Sequence, residues 1–424
     1  MIQFLIKGLW RDSSRSRLPV IVVAIGVMLT VFVHAYITGF MGDTIELNAR
    51  FTNGHLKVMT KAYEENISQI PNDLALTNVS GLLNDLNKQL PGISWIPRIQ
   101  FGGLIDVPDE NGETRSQGPA IGLGIDLLSG QSEEMERLNI QKSLIRGNVI
   151  VSHGEALLSE EFSRKLNINP GDEFTFIGST MHGSMTMYNF KLAGTVIFGT
   201  EAFDRGAIIA DIEDIRLALD MQDAAGELIG FLKGGFYDDE KALLIANNFN
   251  ASKTKNIDDF TPVIRSLSQQ GNMGQYVHFS KVWAMYISIV FIFAMALVLW
   301  NAGLLGGLRR YGEFGLRLAM GEEKTHVYLT MIYESVFIGI AGTVFGTAFG
   351  IFFAWLMQKY GIDISNMMEG AAMMFPSRIR ARITPVDFYL GFFPGLLSTV
   401  IGASLAGIGI YKRKTSQLFK ELEV

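Results

Sequence analysis

The chain has 424 residues, of which 48% are hydrophobic and only 18% charged. A soluble globular domain carries about a quarter of charged residues, so the composition excludes a disordered chain and speaks against a purely soluble one. No cysteine is present, which excludes a disulfide framework, a thiolate zinc site and a cysteine nucleophile. The net charge of −6 is unevenly divided: residues 41–279 hold 19 Lys and Arg against 32 Asp and Glu, and the remainder 17 against 10. An acidic, polar middle is flanked by basic, apolar ends. No basic stripe suited to nucleic acid lies outside those ends.

Residues 1–17 form a basic flank with Lys7, Arg11, Arg15 and Arg17. Leu18 to Phe40 is then apolar over 23 residues, enough at ~1.5 Å per residue to cross a ~30 Å hydrocarbon core. The run exceeds the ~7–15 residues of a signal-peptide apolar region, and it is read as an uncleaved anchor.

The acidic stretch 41–279 alternates strand and helix patterns. His55–Thr60, Ile93–Val107, Ala120–Ile125, Asn148–Ser152, Glu173–Ile177, Tyr188–Ile197, Gly206–Ala210 and Glu227–Leu232 are predicted strands. Val79–Leu90, Gly154–Leu166, Ile212–Leu219, Asp239–Asn248 and Ile257–Ser268 are predicted helices, and helix resumes from Val277. Asp109–Gly112 and the segment around His182-Gly183 are predicted turns. Asp43–Arg50 and Tyr276–Trp283 contain neither Gly nor Pro, so the flanking membrane helices are expected to continue outward as a stalk.

Further apolar spans follow at 280–306, 327–357 and 386–411, separated by 307–326 and 358–385 and followed by a tail at 412–424. Gly342, Gly346 and Gly350 repeat at i+4, as do Ser398, Gly402 and Ala406. Such small-residue faces suit close helix packing in lipid, either within one bundle or with a second copy. Glu334, inside the third span, needs a partner or an interfacial position.

Twelve Lys and Arg on the N-terminal flank, the 307–326 loop and the tail stand against four (Lys359, Arg378, Arg380, Arg382) on the other side. The positive-inside rule makes the twelve cytoplasmic and the acidic domain extracytoplasmic. The expected fold is an α-helical membrane protein with four transmembrane helices and a large α+β extracytoplasmic domain inserted between the first and second.

Catalytic patterns are absent. The six histidines form no HExxH or HxxxH pair, and no cofactor is expected. No G-x-x-x-x-G-K-[ST] loop occurs to cradle phosphates, so any ATP hydrolysis must come from a partner. The loop Arg309–Lys324 is amphipathic, with Phe314, Leu318 and the Met320-Gly321 corner forming an apolar edge. By physics alone this short helix either lies in headgroups or docks into a partner's groove.

The stretch Arg310–Gly321, reading RYGEFGLRLAMG, resembles the coupling-helix signature of MacB/Lol/FtsX-type ABC permeases. Val149–Asp172, ending in Pro-Gly-Asp, resembles the family's outer-domain pattern. Gly54–Val58 resembles the G-H-[LIV]-x-[VI] strand of the lipoprotein-releasing LolC/LolE branch. The resemblance implies coupling to an ATPase through Arg310, Glu313, Phe314, Gly315, Arg317, Leu318, Met320 and Gly321. The small-residue faces place helix packing at Gly342, Gly346, Gly350, Gly402 and Ala406. The turn around Ser179–Tyr188, with Met181, His182 and Met185, is the nearest equivalent of a carrier or substrate hairpin.

The implied partners are a cytoplasmic ABC ATPase dimer, a second permease copy or paralogue, membrane lipid, and a periplasmic lipoprotein carrier or adaptor. The implied function is a permease subunit, itself without a nucleotide site, in a bacterial inner membrane with its large domain in the periplasm. It would release lipoproteins or another amphiphile from the outer leaflet by mechanotransmission. The alternatives are a MacB-like efflux permease and an FtsX-like regulator of a cell-wall hydrolase.

Overall fold

The computed structural model describes residues 13–130, 132–199, 201–233, 236–252, 258–308, 311–363 and 378–412. In chain order, helix α1 (Ser13–Asn48) leads into strand β1 (Leu56–Thr60), helix α2 (Val79–Gln89), β2 (Ile93–Pro108), β3 (Thr114–Ile125) and β4 (Leu144–Gly147). Then come β5 (Glu155–Ser159), α3 (Glu160–Leu166), β6 (Glu173–Ser179), β7 (Met185–Val196), β8 (Ala207–Asp211) and α4 (Ile212–Leu219). They are followed by β9 (Glu227–Leu232), α5 (Asp239–Ser252), β10 (Pro262–Ser266), α6 (Met273–Leu308), α7 (Tyr311–Ala319) and α8 (Lys324–Tyr360). The described chain ends with α9 (Asp387–Leu390) and α10 (Ser398–Lys412), joined by a π-helical turn at Phe393–Leu397. Short single-turn helices fill several connections.

Among the described residues, four stretches are helical, long and apolar enough to cross a membrane; they lie within Arg17–Asn53, Met273–Leu308, Lys324–Tyr360 and Asp387–Ile408. The described residues divide into two compact units. One takes in those up to Asp43, Ser280–Ile362 and those from Ile379 onward; the other is built on Thr44–Phe279.

The membrane unit is assembled around glycines. A Cβ on Gly342 would lie 2.6 Å from Val23, one on Gly346 2.5 Å from the Ala24 carbonyl, and one on Gly350 2.9 Å from Val31. The stripe on α8 therefore seats α1 of the same chain at backbone contact distance, with Val23, Val27 and Val31 buried against it. On α10, a Cβ at Gly402 would meet the Trp300 carbonyl at 2.4 Å, and Ala406 closes on Gly307 of α6. The Asp387 carboxylate at the start of α9 is fully buried; it meets His34 Nδ1 of α1 at 2.7 Å and accepts from Thr384 N and Oγ1.

The other unit is a ten-stranded mixed sheet ordered β10-β1-β9-β2-β3-β8-β5-β7-β4. The long β2 serves two layers: Ile93–Arg98 pair with β9, and Ile99–Pro108 pair with β3. Strand β6 pairs with both β2 and β7, which closes β2, β3, β8, β5, β7 and β6 into a ring. Closure leaves the ring without a free edge. Its interior is filled by Phe101, Ile105, Phe162, Phe174, Phe176 and Phe190, all nearly inaccessible.

Two sequence expectations fail here. The strand expected at Asn148–Ser152 is an irregular segment, and the helix expected from Gly154 begins only at Glu160. The intervening Glu155–Ser159 is β5, parallel to β7 and antiparallel to β8. Leu157 packs into one core cluster and Ala156 and Leu158 into another, so both faces are apolar and the period-2 signal vanishes. Ser159 then caps α3 by accepting the Phe162 N–H.

The helix expected at Ile257–Ser268 is instead β10, paired with β1; residues 253–257 lie outside the described set. Pro262 is tolerated because it opens an edge strand.

Candidate functional site

Helix α7 is nine residues long between two membrane helices. Its positions 311, 314 and 318 lie on one face by helical spacing, and 316 and 320 on the other. Tyr311 and Phe314 are buried with Val327 and Met331 in one cluster, with Leu318 packed against it. The Tyr311 hydroxyl donates to the Ala406 carbonyl of α10. The helix is thereby held against its own bundle.

The apolar edge drawn from sequence is corrected by this burial. Phe314 is 2% exposed and Gly315 is buried, so neither presents a side chain outward. Leu316 at 52% and Met320 at 73% form the outward apolar pair. Leu316 was not among the expected residues; its i, i+4 relation to Met320 was the signal available. Glu313, Arg317 and Leu318 are partly exposed. Arg310, like Arg309, lies outside the described residues.

The C-terminus of α7 has a specific stop. Gly321 adopts φ +93°, its N–H reaches the Leu318 carbonyl at 3.1 Å, and Glu322 N reaches the Arg317 carbonyl at 3.1 Å. This is the paired 5→2 and 6→1 pattern of a Schellman ending, which favours glycine at the left-handed position. Glu322 then accepts from Arg317 Nε and Nη2, both at 2.6 Å, and meets His326 Nδ1. Arg317, with His326 beside it, holds the Glu322 carboxyl below the usual carboxylate range.

Glu313 and Glu334 both line a cavity of about 440 Å³ in the membrane unit, walled by Leu18, Val22, Gly303, Gly306 and Ile338 among others. Glu334 thus borders a void in the bundle. Of the arginines near the fourth span, the Arg380 N–H donates to Asp43 and the Arg382 N–H to the Ala35 carbonyl. The Arg378 side chain lies outside the described residues, as do residues 1–12, 364–377 and 413–424.

In the sheet unit, β6 and β7 form the hairpin foreseen around His182. Gly183 takes φ +81° at its tip. Met181 N donates to the Leu219 carbonyl and its side chain packs on the core, whereas Met185 is 69% exposed. His182 Nε2 lies 3.8 Å from Asp220. Met187, unmarked by sequence, continues the exposed apolar row. His153, Asp211 and Asp214 bring ligand-type atoms within 4.8 Å of one another. The two aspartates, however, already accept backbone N–H groups from Leu127, Leu128, Glu213 and Gly154.

Residues 285–415 match the family described as FtsX-like permease C-terminal. This part of the chain, about a third of it, is thus similar to FtsX-like permease domains. The solved periplasmic region of MacB from Actinobacillus actinomycetemcomitans is similar to 51% of this chain, over 89% of its own length, at 14% identity and a TM-score of 0.33. No curated protein matches the chain significantly.

Proposed function

We propose that the chain is the permease subunit of an ABC transporter, driven through α7 by a separate cytoplasmic ATPase dimer. It works beside a second permease copy or paralogue in a bacterial inner membrane. By mechanotransmission it releases lipoproteins or another amphiphile from the outer leaflet. The observation that carries this reading is α7 itself, a capped helix whose Tyr311 and Phe314 root it in an FtsX-like domain while Leu316 and Met320 face outward. A rooted helix with an apolar outer pair suits a groove on a partner, because a push on it is delivered to α8 and α10 rather than lost. The exposed Met185 and Met187 offer an adaptable apolar surface for a periplasmic carrier.

The test is purification of the full chain with the ATPases of its host. An ATPase should co-purify with wild type and be lost with Leu316→Asp plus Met320→Asp. In cells, depletion of the chain should leave lipoproteins retained at the inner membrane. Correct sorting after depletion would remove lipoprotein release as the activity.

A further inference from the structure

Helix α1 does not end at the membrane unit. Its last residues, from Thr44, belong to the sheet unit, and the chain then passes through a π-helical turn, Ala49–Asn53, into β1. The junction is Gly54, at φ +64°, where a Cβ would lie 2.4 Å from Ile229. A left-handed glycine between a helix and a strand is a natural hinge. Two buried side chains bridge it.

The first is His55, 1% exposed. Its Nδ1 accepts the backbone N–H of Leu232, at 3.0 Å, so in the neutral ring the proton sits on Nε2. Nε2 therefore donates to Glu46 on the last turns of α1, at 2.8 Å. One imidazole ties the helix to the end of β9, and its tautomer is set by the strand.

The second is Arg98 on β2, also 1% exposed. Its Nη1 donates to the Phe51 carbonyl at 2.7 Å and its Nη2 to the Arg50 carbonyl at 2.9 Å, which satisfies carbonyls left open where the helix ends. Its Nε donates to Glu134, itself fully buried, at 2.8 Å. Glu134 in turn meets Arg137, whose guanidinium lies 3.9 Å from the centre of the Phe231 ring. Burying these charges is expensive, and an apolar pair would have packed more cheaply. A guanidinium has what an apolar pair lacks: three donors in a fixed fork aimed at two carbonyls and a carboxylate.

We propose that His55 and Arg98 form a two-point latch across the Gly54 hinge, acting as positioning residues for the transport cycle. The latch makes the end of α1 part of the rigid sheet body. Displacement of α1 then reaches the sheet instead of being absorbed at Gly54. This rests on the permease reading for its purpose, but the latch itself is tested without any partner.

The chain has no native cysteine, so spin labels can be placed at Asn48→Cys and Asn111→Cys in the full chain. Wild type should give one narrow distance. Arg98→Gln and His55→Gln should each broaden it, and Arg98→Lys, which keeps the charge but not the fork, should broaden it less. Arg164→Gln, an exposed ion pair elsewhere, should leave it unchanged. Amide protection of β2 and β3 separates an opened hinge from an unfolded sheet.

In the reconstituted complex, Arg98→Lys should keep ATP hydrolysis but lose release per ATP, which a merely structural role would not produce. An unaltered narrow distance in both glutamine variants overturns the latch, whether or not an ATPase binds. A broadened distance with coupling intact overturns its role in the cycle. Failure to bind any ATPase counts against the permease reading alone.

Discussion

Arg317 and Glu322 meet in a two-point ion pair across the end of α7, with both nitrogen–oxygen distances at 2.6 Å. Gly321 stands between them, and its left-handed backbone is what lets Glu322 fold back. Open space surrounds the position where its Cβ would be, so replacing Gly321 tests the backbone alone. Gly321→Ala should cost about 1–2 kcal/mol locally, the strain of a left-handed alanine. Gly321→Asn should cost less, because asparagine tolerates that conformation. Thermal melting of the detergent-solubilised chain, together with ATPase retention, measures both.

The two faces of α7 should separate in mutagenesis. Leu316→Ala and Met320→Ala should leave melting nearly unchanged but weaken ATPase binding by about 2 kcal/mol or roughly thirtyfold if they anchor the interface. Phe314→Ala should lower stability by about 3–5 kcal/mol through loss of a buried aromatic. Titration of purified ATPase onto the reconstituted chain distinguishes a lost surface from a lost scaffold.

Glycine packing in the bundle should be unforgiving at Gly346 and permissive at Gly306. A Cβ at Gly346 meets the Ala24 carbonyl at 2.5 Å and Val27 at 2.7 Å, whereas nothing lies within 4 Å of one at Gly306. Gly346→Val should destabilise by at least about 1–3 kcal/mol, the usual cost of overpacking. Gly306→Ala should be neutral. Inactivation rates in detergent read the difference.

Acid sensitivity should run through Glu160. Burial pushes its carboxyl up, but hydrogen bonds from Thr195, Arg164 and Arg146 outweigh that and hold it below its ordinary value of 4.5. A depressed folded value stabilises the sheet unit fully above pH 4.5, and the benefit is lost as pH falls below it. Glu160→Gln should lower the melting temperature near neutrality and flatten its decline between about pH 5 and pH 3. Parallel acid slopes for wild type and variant would show that Glu160 is not the group responsible.

Membrane topology is open to a direct check. Asn111, at the exposed turn between β2 and β3, should be labelled as Asn111→Cys only from the periplasmic side. Labelling from the cytoplasmic side would invert the orientation read from the charge distribution.

Much of this architecture was legible from pattern. The apolar runs stood out because lipid demands them, and helices such as α2 carried one apolar face. Strand β5 did not, because Leu157 and Leu158 are both buried on opposite faces and their periodicity is silent. The closure of the ring by β6 depends on pairings between distant segments, which no local pattern encodes. At α7, residue identity revealed the motif but not its rotation. Whether Phe314 or Leu316 faces inward is decided by where Val327 and Met331 wait in α8. The pairs Lys57–Glu227 and Arg98–Glu134 were equally hidden, since their members lie 170 and 36 residues apart.

The glycine side of α8 bears on which faces of the bundle remain open to a partner. Because Gly342, Gly346 and Gly350 are already occupied by α1 of the same chain, that face is closed to any further helix. What α8 leaves exposed is its other side, with Phe345, Phe349 and Phe352, and α6 leaves Phe293 and Val290. The glycine seam therefore belongs to the chain's own bundle and asks nothing of a second copy. Any pairing through these helices would use bulky, adaptable side chains rather than backbone contact. A joint of that kind could slide and re-form, while the glycine seam stays shut.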